Sequence, residues 1–174
     1  TPPTTQAPPP APQAAPQTTQ VTPPATAKPA NLAVSDKVMV DSGDTKVYIE
    51  IRAQKKNAPV VLVLHEGPGN AIGILALEAY PGAELEKNYI VAYMHQRGVL
   101  RSPAVPAASQ TIANHVSDID NVVEYLKKRF AKDRVSIVGH SWGGTLGYLY
   151  AVRHGAKIDK LIAAAAPFNA AANQ

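Results

Sequence analysis

Three short runs of consecutive apolar residues constrain the fold of this chain more than any other feature. They span residues 59–65 (PVVLVLH), 89–95 (YIVAYMH) and 135–139 (VSIVG), and segments with helical periodicity separate them. A strand that is apolar on both faces must be covered on both faces, which is typical of parallel sheets. Strands that alternate with helices form such sheets. We therefore expect an α/β fold with a mostly parallel sheet and helices on both faces.

The segments around these runs complete the predicted order of elements. Residues 37–41 and 45–53 alternate apolar and polar side chains around Ser42-Gly43-Asp44, which predicts a β-hairpin. Residues 111–131 carry an apolar residue every three or four positions, which predicts a helix with Thr111 as its N-cap. The remaining predictions are a helix over 71–87 interrupted at Pro81, a helix over 142–154 ended by Gly155, and a last strand over 158–166.

The first 31 residues differ in composition from the rest of the chain. Ten of the 16 prolines lie within residues 1–30, among Thr, Gln and Ala, and Lys28 is the only charged residue there. Such a segment cannot bury enough apolar surface to fold, so we expect a disordered tether over 1–31 and one domain over 32–174. Low-charge spacers of this kind resemble those of exported bacterial envelope proteins, which suggests a periplasmic or secreted protein. A linker from a larger polypeptide is an equal alternative, and a cytoplasmic location stays open.

Charge and residue spacing limit the classes of partner. The net charge of +4 is thinly spread, which argues against nucleic acid. The longest apolar runs, at 59–64 and 161–168, are too short to span a bilayer, so we expect no transmembrane segment. No histidines and carboxylates stand at metal-ligand spacing, and the chain has no cysteine. We therefore expect neither a metal nor a cofactor.

The strongest chemical motif is Gly139-His140-Ser141-Trp142-Gly143, which lies between a short apolar strand and a helix. This is the G-x-S-x-G pattern of a nucleophile elbow, in which a sharp turn exposes the serine at the top of the sheet. Glycines two residues on either side remove the collisions that side chains would make. The amide of Trp142 and the helix dipole could then stabilise an oxyanion. The alternative is a glycine-rich turn in which the serine is incidental.

Two further motifs follow the preceding predicted strands. His65-Glu66-Gly67-Pro68-Gly69 predicts a tight turn at the carboxyl edge of the sheet, where the Gly67 amide could be a second oxyanion donor and His65 could order the turn. The alternative is a plain strand-to-helix turn. The segment 95–102 (HQRGVLRS) follows the next strand, and we expect its arginines to brace loops rather than to contact substrate.

Together these motifs resemble the α/β-hydrolase superfamily and, within it, the proline iminopeptidase-like serine peptidases. That group carries HGGPG, DQRGxGRS and GxSWGG in this order, and the resemblance covers about Lys37 to Pro167. It implies a serine hydrolase that acts on a peptide's N-terminal residue, or on an ester, through an acyl-enzyme on Ser141. Glu66 departs from the pattern, as do His95 and Leu100. The Glu66 carboxylate could hold a substrate ammonium or oppose the oxyanion.

A general base for Ser141 is hard to find in the sequence. In α/β-hydrolases the acid and the histidine follow the serine, yet only Asp159 and His154 do so here. His154 lies ~20 Å along the same predicted helix, and Asp159 should enter the last strand at the opposite edge of the sheet. Among earlier histidines, we expect His115 on the exposed side of its helix and His140 within the elbow, where it could bind substrate or shape the site. His95 is the only conceivable substitute base.

We therefore expect the chain to be the N-terminal half of its domain, with the remaining strands, the acid and the histidine beyond Gln174. The last predicted strand would then be an apolar sheet edge, which invites pairing with another chain. This predicts either a second polypeptide that supplies the C-terminal half or poor solubility in isolation. The alternative function is a hydrolase-like binding or assembly module without catalysis.

Overall fold

The computed structural model describes residues 31–79 and 84–167, which form strands and helices in alternation. The strands are β1 (Val34–Ser42), β2 (Thr45–Ala53), β3 (Val60–Leu64), β4 (Ile90–Met94), β5 (Val135–His140) and β6 (Ile158–Ala164). The helices are α1 (Ile72–Ala79), α2 (Glu84–Asn88), α3 (Ile112–Phe130) and α4 (Trp142–His154), with short 3-10 turns at Ala107–Ser109 and Gly155–Lys157. Residues 1–30 of the predicted tether over 1–31, and the predicted interruption at Pro81, lie outside the described residues.

The strands form one sheet in the order β1-β2-β4-β3-β5-β6. The β1–β2 hairpin turns at Gly43, whose φ of 71° suits glycine, and β2 also runs antiparallel to β4. The pairs β4–β3, β3–β5 and β5–β6 are all parallel. The predicted α/β fold is therefore confirmed. The three runs are the inner strands β3, β4 and β5; β3 and β4 are buried throughout, whereas β5 alternates buried and half-buried residues and ends on the exposed His140.

Helices cover both faces of the sheet. The larger core cluster joins β-strand residues to the apolar stripe of α3 and to Leu146 and Tyr150 of α4. The smaller cluster packs Ile74 of α1 against Val61 and Tyr93 on the other face. The α3 helix begins as predicted, because the Thr111 hydroxyl accepts a hydrogen bond from the Asn114 amide at 3.2 Å.

The prediction for His115 was wrong. This side chain is buried, with 6% of its surface exposed. The physical reason is helical periodicity: His115 lies on the same stripe as Ile119, Val122 and Leu126, which all face the sheet. The helix therefore carries His115 into the interior together with these apolar residues.

Candidate active site

The candidate site lies where the carboxyl ends of β3 and β5 stand side by side. These strands are parallel neighbours, and Leu64 pairs with Gly139 near their ends. The chain leaves β3 towards β4 on one side and leaves β5 towards β6 on the other, so a crevice opens between the two loops. Open α/β sheets bind their ligands at such switch points. Each of these loops carries one of the motifs identified from the sequence, at residues 65–69 and 139–143.

Ser141 forms a sharp elbow between β5 and α4. Its backbone has φ 51° and ψ −119°, a conformation that costs a non-glycine residue free energy. A Cβ added to Gly139 would lie 2.3 Å from the Gly143 carbonyl oxygen, and one added to Gly143 would lie 2.3 Å from the Leu64 carbonyl oxygen. These distances explain why glycine is needed at both positions. They also mean that the start of α4 rests directly on the end of β3.

The turn after β3 is held by His65. Gly67 has φ 143°, and a Cβ there would lie 2.7 Å from the Gly69 nitrogen. The His65 Nε2 accepts a hydrogen bond from the Gln96 amide at 3.1 Å, so the ring proton is on Nδ1, which contacts the carbonyls of Glu66 at 2.6 Å and Asn70 at 3.0 Å. Burial lowers the pKa of His65, although the two carbonyls partly oppose the shift. A neutral His65 therefore ties three backbone groups together.

Glu66 faces the first turn of α1. Its Oε1 accepts a hydrogen bond from the Gly73 amide at 2.7 Å, as a carboxylate at a helix N-terminus commonly does. Burial alone would raise the pKa of Glu66, but the hydrogen bond from the Gly73 amide opposes this and the pKa is lowered overall. The carboxylate is thus ionised and anchored to α1. His140, directly before the elbow, is exposed.

The other histidines are engaged elsewhere. His95 is completely buried, with Nε2 2.6 Å from Glu78 Oε1 and Nδ1 accepting from the Arg101 amide at 3.2 Å. Both of its ring nitrogens are therefore occupied. His154 stacks on Tyr150 near the end of α4, far along the helix from Ser141. Among the described residues, which include all five histidines, none hydrogen-bonds the Ser141 hydroxyl.

Arg97 braces the loop after β4. Its side chain is 1% exposed and donates to Asp118 of α3, with Nε 2.7 Å from Oδ2 and Nη2 2.8 Å from Oδ1. It also reaches Asp44 in the hairpin turn at 3.2 Å. The bond to Asp118 is the main reason that the pKa of Arg97 is raised. The guanidinium therefore connects the loop after β4 to α3 and to the hairpin turn, which is a structural role.

The described ranges contain no group of three or more His, Cys, Asp and Glu side chains that could hold a metal ion. Within the same ranges, no helix has the length and apolar character needed to cross a bilayer.

Residues 61–174 match the family described as serine aminopeptidase, S33. The chain belongs to this family. Among curated proteins, this family member is 33% identical over 107 residues to "Probable aminopeptidase YbaC" of Bacillus subtilis, covering 60% of this chain and 33% of that protein. It is 31% identical over 137 residues to "Probable proline iminopeptidase" of Streptomyces coelicolor, covering 73% of this chain and 39% of that protein.

Solved structures share the fold of this serine aminopeptidase family member. The proline iminopeptidase of Mycobacterium smegmatis aligns with a TM-score of 0.58 and 27% identity, over 76% of this chain and 44% of that one. A thioesterase domain from the curacin biosynthetic pathway aligns with a TM-score of 0.64 at 22% identity, over 81% of this chain and 51% of that one. The α/β-hydrolase fold is thus established, while the chain spans about a third of the length of the first curated relatives it matches.

The structure brings Ser141, Trp142, Gly67, His65 and Glu66 to the same crevice, since Gly143 rests on the Leu64 and His65 carbonyls. Sequence reasoning missed a residue beside this group. His115 contacts Trp142 edge-on, with ring centroids 6.0 Å apart. The apolar stripe of α3 is the pattern that could have located it.

Proposed function

We propose that this chain carries the nucleophile of a serine hydrolase, which cleaves the amide after a peptide's N-terminal residue or an ester. The observation that carries the proposal is the strained backbone of Ser141 at φ 51°, in an elbow whose flanking glycines have no room for a Cβ. Backbone strain of this kind clusters at active sites. Membership of a family of serine aminopeptidases supports the same chemistry.

In the proposed reaction, the Ser141 oxygen attacks the substrate carbonyl carbon and a C–O bond forms. A general base takes the hydroxyl proton and later gives it to the leaving amine or alcohol as the scissile bond breaks. Water then hydrolyses the acyl-enzyme in the reverse sense, which regenerates Ser141. Backbone amides of Trp142 and Gly67 are the proposed donors to the oxyanion, aided by the N-terminal end of α4.

The acid and the histidine of the triad are assigned to residues outside this chain, on the C-terminal part of the domain or on a second polypeptide. Support comes from the histidines themselves: His65 and His95 have both ring nitrogens engaged, and His154 lies near the far end of α4. A hydroxyl without a base is a weak nucleophile, so this chain alone should be nearly inactive.

The second candidate is a hydrolase-like binding module without catalysis. The observation that favours it is the ionised Glu66 carboxylate in the turn that carries the Gly67 amide. A negative charge near the oxyanion would oppose its formation. In the catalytic proposal, by contrast, the bond from Gly73 keeps Glu66 directed at α1 and leaves the amides to the substrate.

A fluorophosphonate probe separates the two candidates. The chain is first purified from its native source, and its intact mass is measured by mass spectrometry. Any polypeptide that co-purifies with it is thereby identified and retained. The material is then labelled. The catalytic proposal expects covalent labelling that Ser141→Ala abolishes and that Ser136→Ala, a matched change on β5, leaves in place. Absence of labelling with the C-terminal half present would establish the binding module instead.

A further inference from the structure

Gln96 is buried between the turn after β3 and the loop after β4, with 1% of its surface exposed. It makes two hydrogen bonds to His65, the residue that holds the turn. Its backbone amide donates to the His65 Nε2 at 3.1 Å, and its side-chain Nε2 lies 2.8 Å from the His65 carbonyl oxygen. Because a carbonyl can only accept, the side chain donates there through its amide nitrogen. Gln96 therefore binds His65 both at its ring and at its backbone.

The His65 carbonyl oxygen is also the atom against which the elbow packs. A Cβ added to Gly143 would lie 2.5 Å from this oxygen. The turn after β3, the loop after β4 and the start of α4 therefore meet at one backbone atom. Because Gln96 and His65 are both buried, water does not compete for the hydrogen bonds between them, and a lost donor is not easily replaced.

The ring of His65 extends this constraint to the proposed oxyanion donor. Its proton is on Nδ1, 2.6 Å from the Glu66 carbonyl oxygen. The Glu66 carbonyl and the Gly67 N–H belong to the same peptide group, which is planar and trans, so they point in opposite directions. A hydrogen bond that fixes the carbonyl therefore also fixes the direction of the N–H. If this peptide group rotated, the Gly67 N–H would turn away and the bond to His65 would break.

We propose that Gln96 is a positioning residue of the oxyanion hole, which holds His65 so that the His65 ring keeps the Gly67 amide directed at the substrate. This inference rests on the proposed function, because Gly67 is a donor only in the proposed reaction. Gln96 is buried and acts through His65, so it is not itself a catalytic residue. The loop after β4 thereby contributes to the reaction without contacting the substrate.

The first test removes the side-chain donor. Gln96→Met keeps the length of the side chain but cannot donate to the His65 carbonyl. The matched control is Gln110→Met, the same change at an exposed position whose Nε2 donates to the Arg97 carbonyl at 3.3 Å. The rate at which a fluorophosphonate labels Ser141 is measured over a range of probe concentrations, with any co-purifying polypeptide retained.

We expect Gln96→Met to lower the labelling rate at saturating probe by about tenfold to a hundredfold, less than the roughly 10²–10³-fold loss that follows removal of an oxyanion donor. The probe concentration that gives half of the maximal rate should not change, because the oxyanion donors act mainly in the transition state. Gln110→Met should change neither quantity. An unchanged rate in the Gln96 variant overturns the proposal, as does an equal loss in both variants.

A second readout, the pKa of His65, needs no catalysis and is measured by NMR titration of isotope-labelled histidine. Burial lowers this pKa, and a hydrogen bond donated to Nε2 also favours the neutral ring. Gln96→Met should therefore raise the pKa towards its usual value of about 6.5, and Gln110→Met should not. The ionisable groups that interact with His65 are Glu66, His95 and His115, and both variants retain them. An unchanged His65 pKa in a folded Gln96→Met variant contradicts the proposal.

If Gln96→Met does not fold, two variants of His65 decide. In His65→Asn, the side-chain amide reaches the place of Nδ1 and can still donate to the Glu66 carbonyl. In His65→Gln, the amide reaches the place of Nε2 and faces Gln96 instead. We expect the asparagine variant to be labelled about tenfold faster, which corresponds to about 1.4 kcal/mol in the barrier. Equal rates would mean that the bond to the Glu66 carbonyl does not position the donor.

Failure of this proposal is distinguishable from failure of the proposed function. If the unmodified protein is not labelled, the nucleophile proposal is wrong, and the positioning role in catalysis is wrong with it. If the unmodified protein is labelled at Ser141 while Gln96→Met alters neither the labelling rate nor the His65 pKa, only the positioning role is wrong.

Discussion

Gly143 shows how one missing side chain allows the site to form. A Cβ there would lie 2.3 Å from the Leu64 carbonyl oxygen and 2.5 Å from the His65 carbonyl oxygen. Both are backbone atoms of a buried strand end, so neither can move aside cheaply. We expect Gly143→Ala to lower the free energy of unfolding by about 3 kcal/mol, at the upper end of overpacking effects. Denaturant unfolding followed by circular dichroism measures the change.

The matched control is Gly155→Ala. Gly155 has φ −53° and open space where a Cβ would stand, so alanine fits without strain. Its effect should be within about 1 kcal/mol and of stabilising sign, since alanine restricts the unfolded chain. Similar losses at both positions would mean that helix packing against β3 does not explain the glycine of the elbow.

Buried histidines make the stability of the fold depend on pH. Burial is the main reason that the pKa values of His65, His95 and His115 are lowered. Between the folded value and the unfolded value of about 6.5, the unfolded chain binds more protons than the folded one. The free energy of unfolding should therefore be highest above about pH 7 and fall as the pH decreases towards 5.5.

Each histidine that stays neutral contributes a slope of at most about 1.4 kcal/mol per pH unit. The variant His115→Leu should lose one such share, so its unfolding free energy should change less between pH 7.5 and 5.5. Urea titrations at the two pH values measure this difference. An identical slope in the variant would mean that His115 gains a proton in the folded protein.

The loop after β4 and helix α3 are joined by a buried ion pair, Arg97 with Asp118. Asp118 is completely buried and accepts from Arg97 and from the Ser42 hydroxyl. Removing one partner leaves an uncompensated charge in the interior. We expect Asp118→Ala to cost about 3–5 kcal/mol of unfolding free energy, while the double variant Arg97→Met with Asp118→Leu should cost less, because no charge remains buried.

An exposed ion pair provides the contrast. Lys46 and Asp41 are 3.1 Å apart, with 58% and 84% of their side chains exposed. Surface pairs of this kind contribute about 0–1 kcal/mol, so Asp41→Ala should be nearly silent in the same unfolding assay. An Asp118→Ala variant no less stable than the double variant would mean that an uncompensated buried charge is not what destabilises the protein.

Some elements could be predicted because their patterns depend on local sequence alone. The inner strands are continuous apolar runs, and Thr111 caps α3 through a residue only three positions away. The position of His115 was missed, although the apolar stripe that contains it is equally local. The order of strands across the sheet was not specified, because it depends on which distant segments pair.

In the candidate site too, the local motifs could be predicted from the sequence, and the contacts between distant residues could not. Its motifs identified Ser141, Gly67 and Trp142 and the carboxyl edge on which they lie, since parallel strands end at one edge. The partners of the histidines were beyond the sequence, because they are distant in the chain: Glu78 and His95 are 17 residues apart, and His65 and Gln96 are 31 apart. The contact with Glu78 occupies one ring nitrogen of His95, and nothing in the sequence indicates it.

The open edge of the sheet, at β6, leads us to expect association with another chain. In the described part of the chain, β6 pairs only with β5, and Ile162 on it is 59% exposed. An apolar edge strand with unpaired backbone groups favours pairing with another chain, and a charged residue opposes it. Ile162→Lys should therefore shift the isolated chain towards monomer in sedimentation velocity at equal concentration. Val152→Lys, at a residue that is 68% exposed but lies on α4, should not. If the unmodified chain is already a stable monomer without a partner, the edge is protected and both the expected second polypeptide and the expected self-association are wrong.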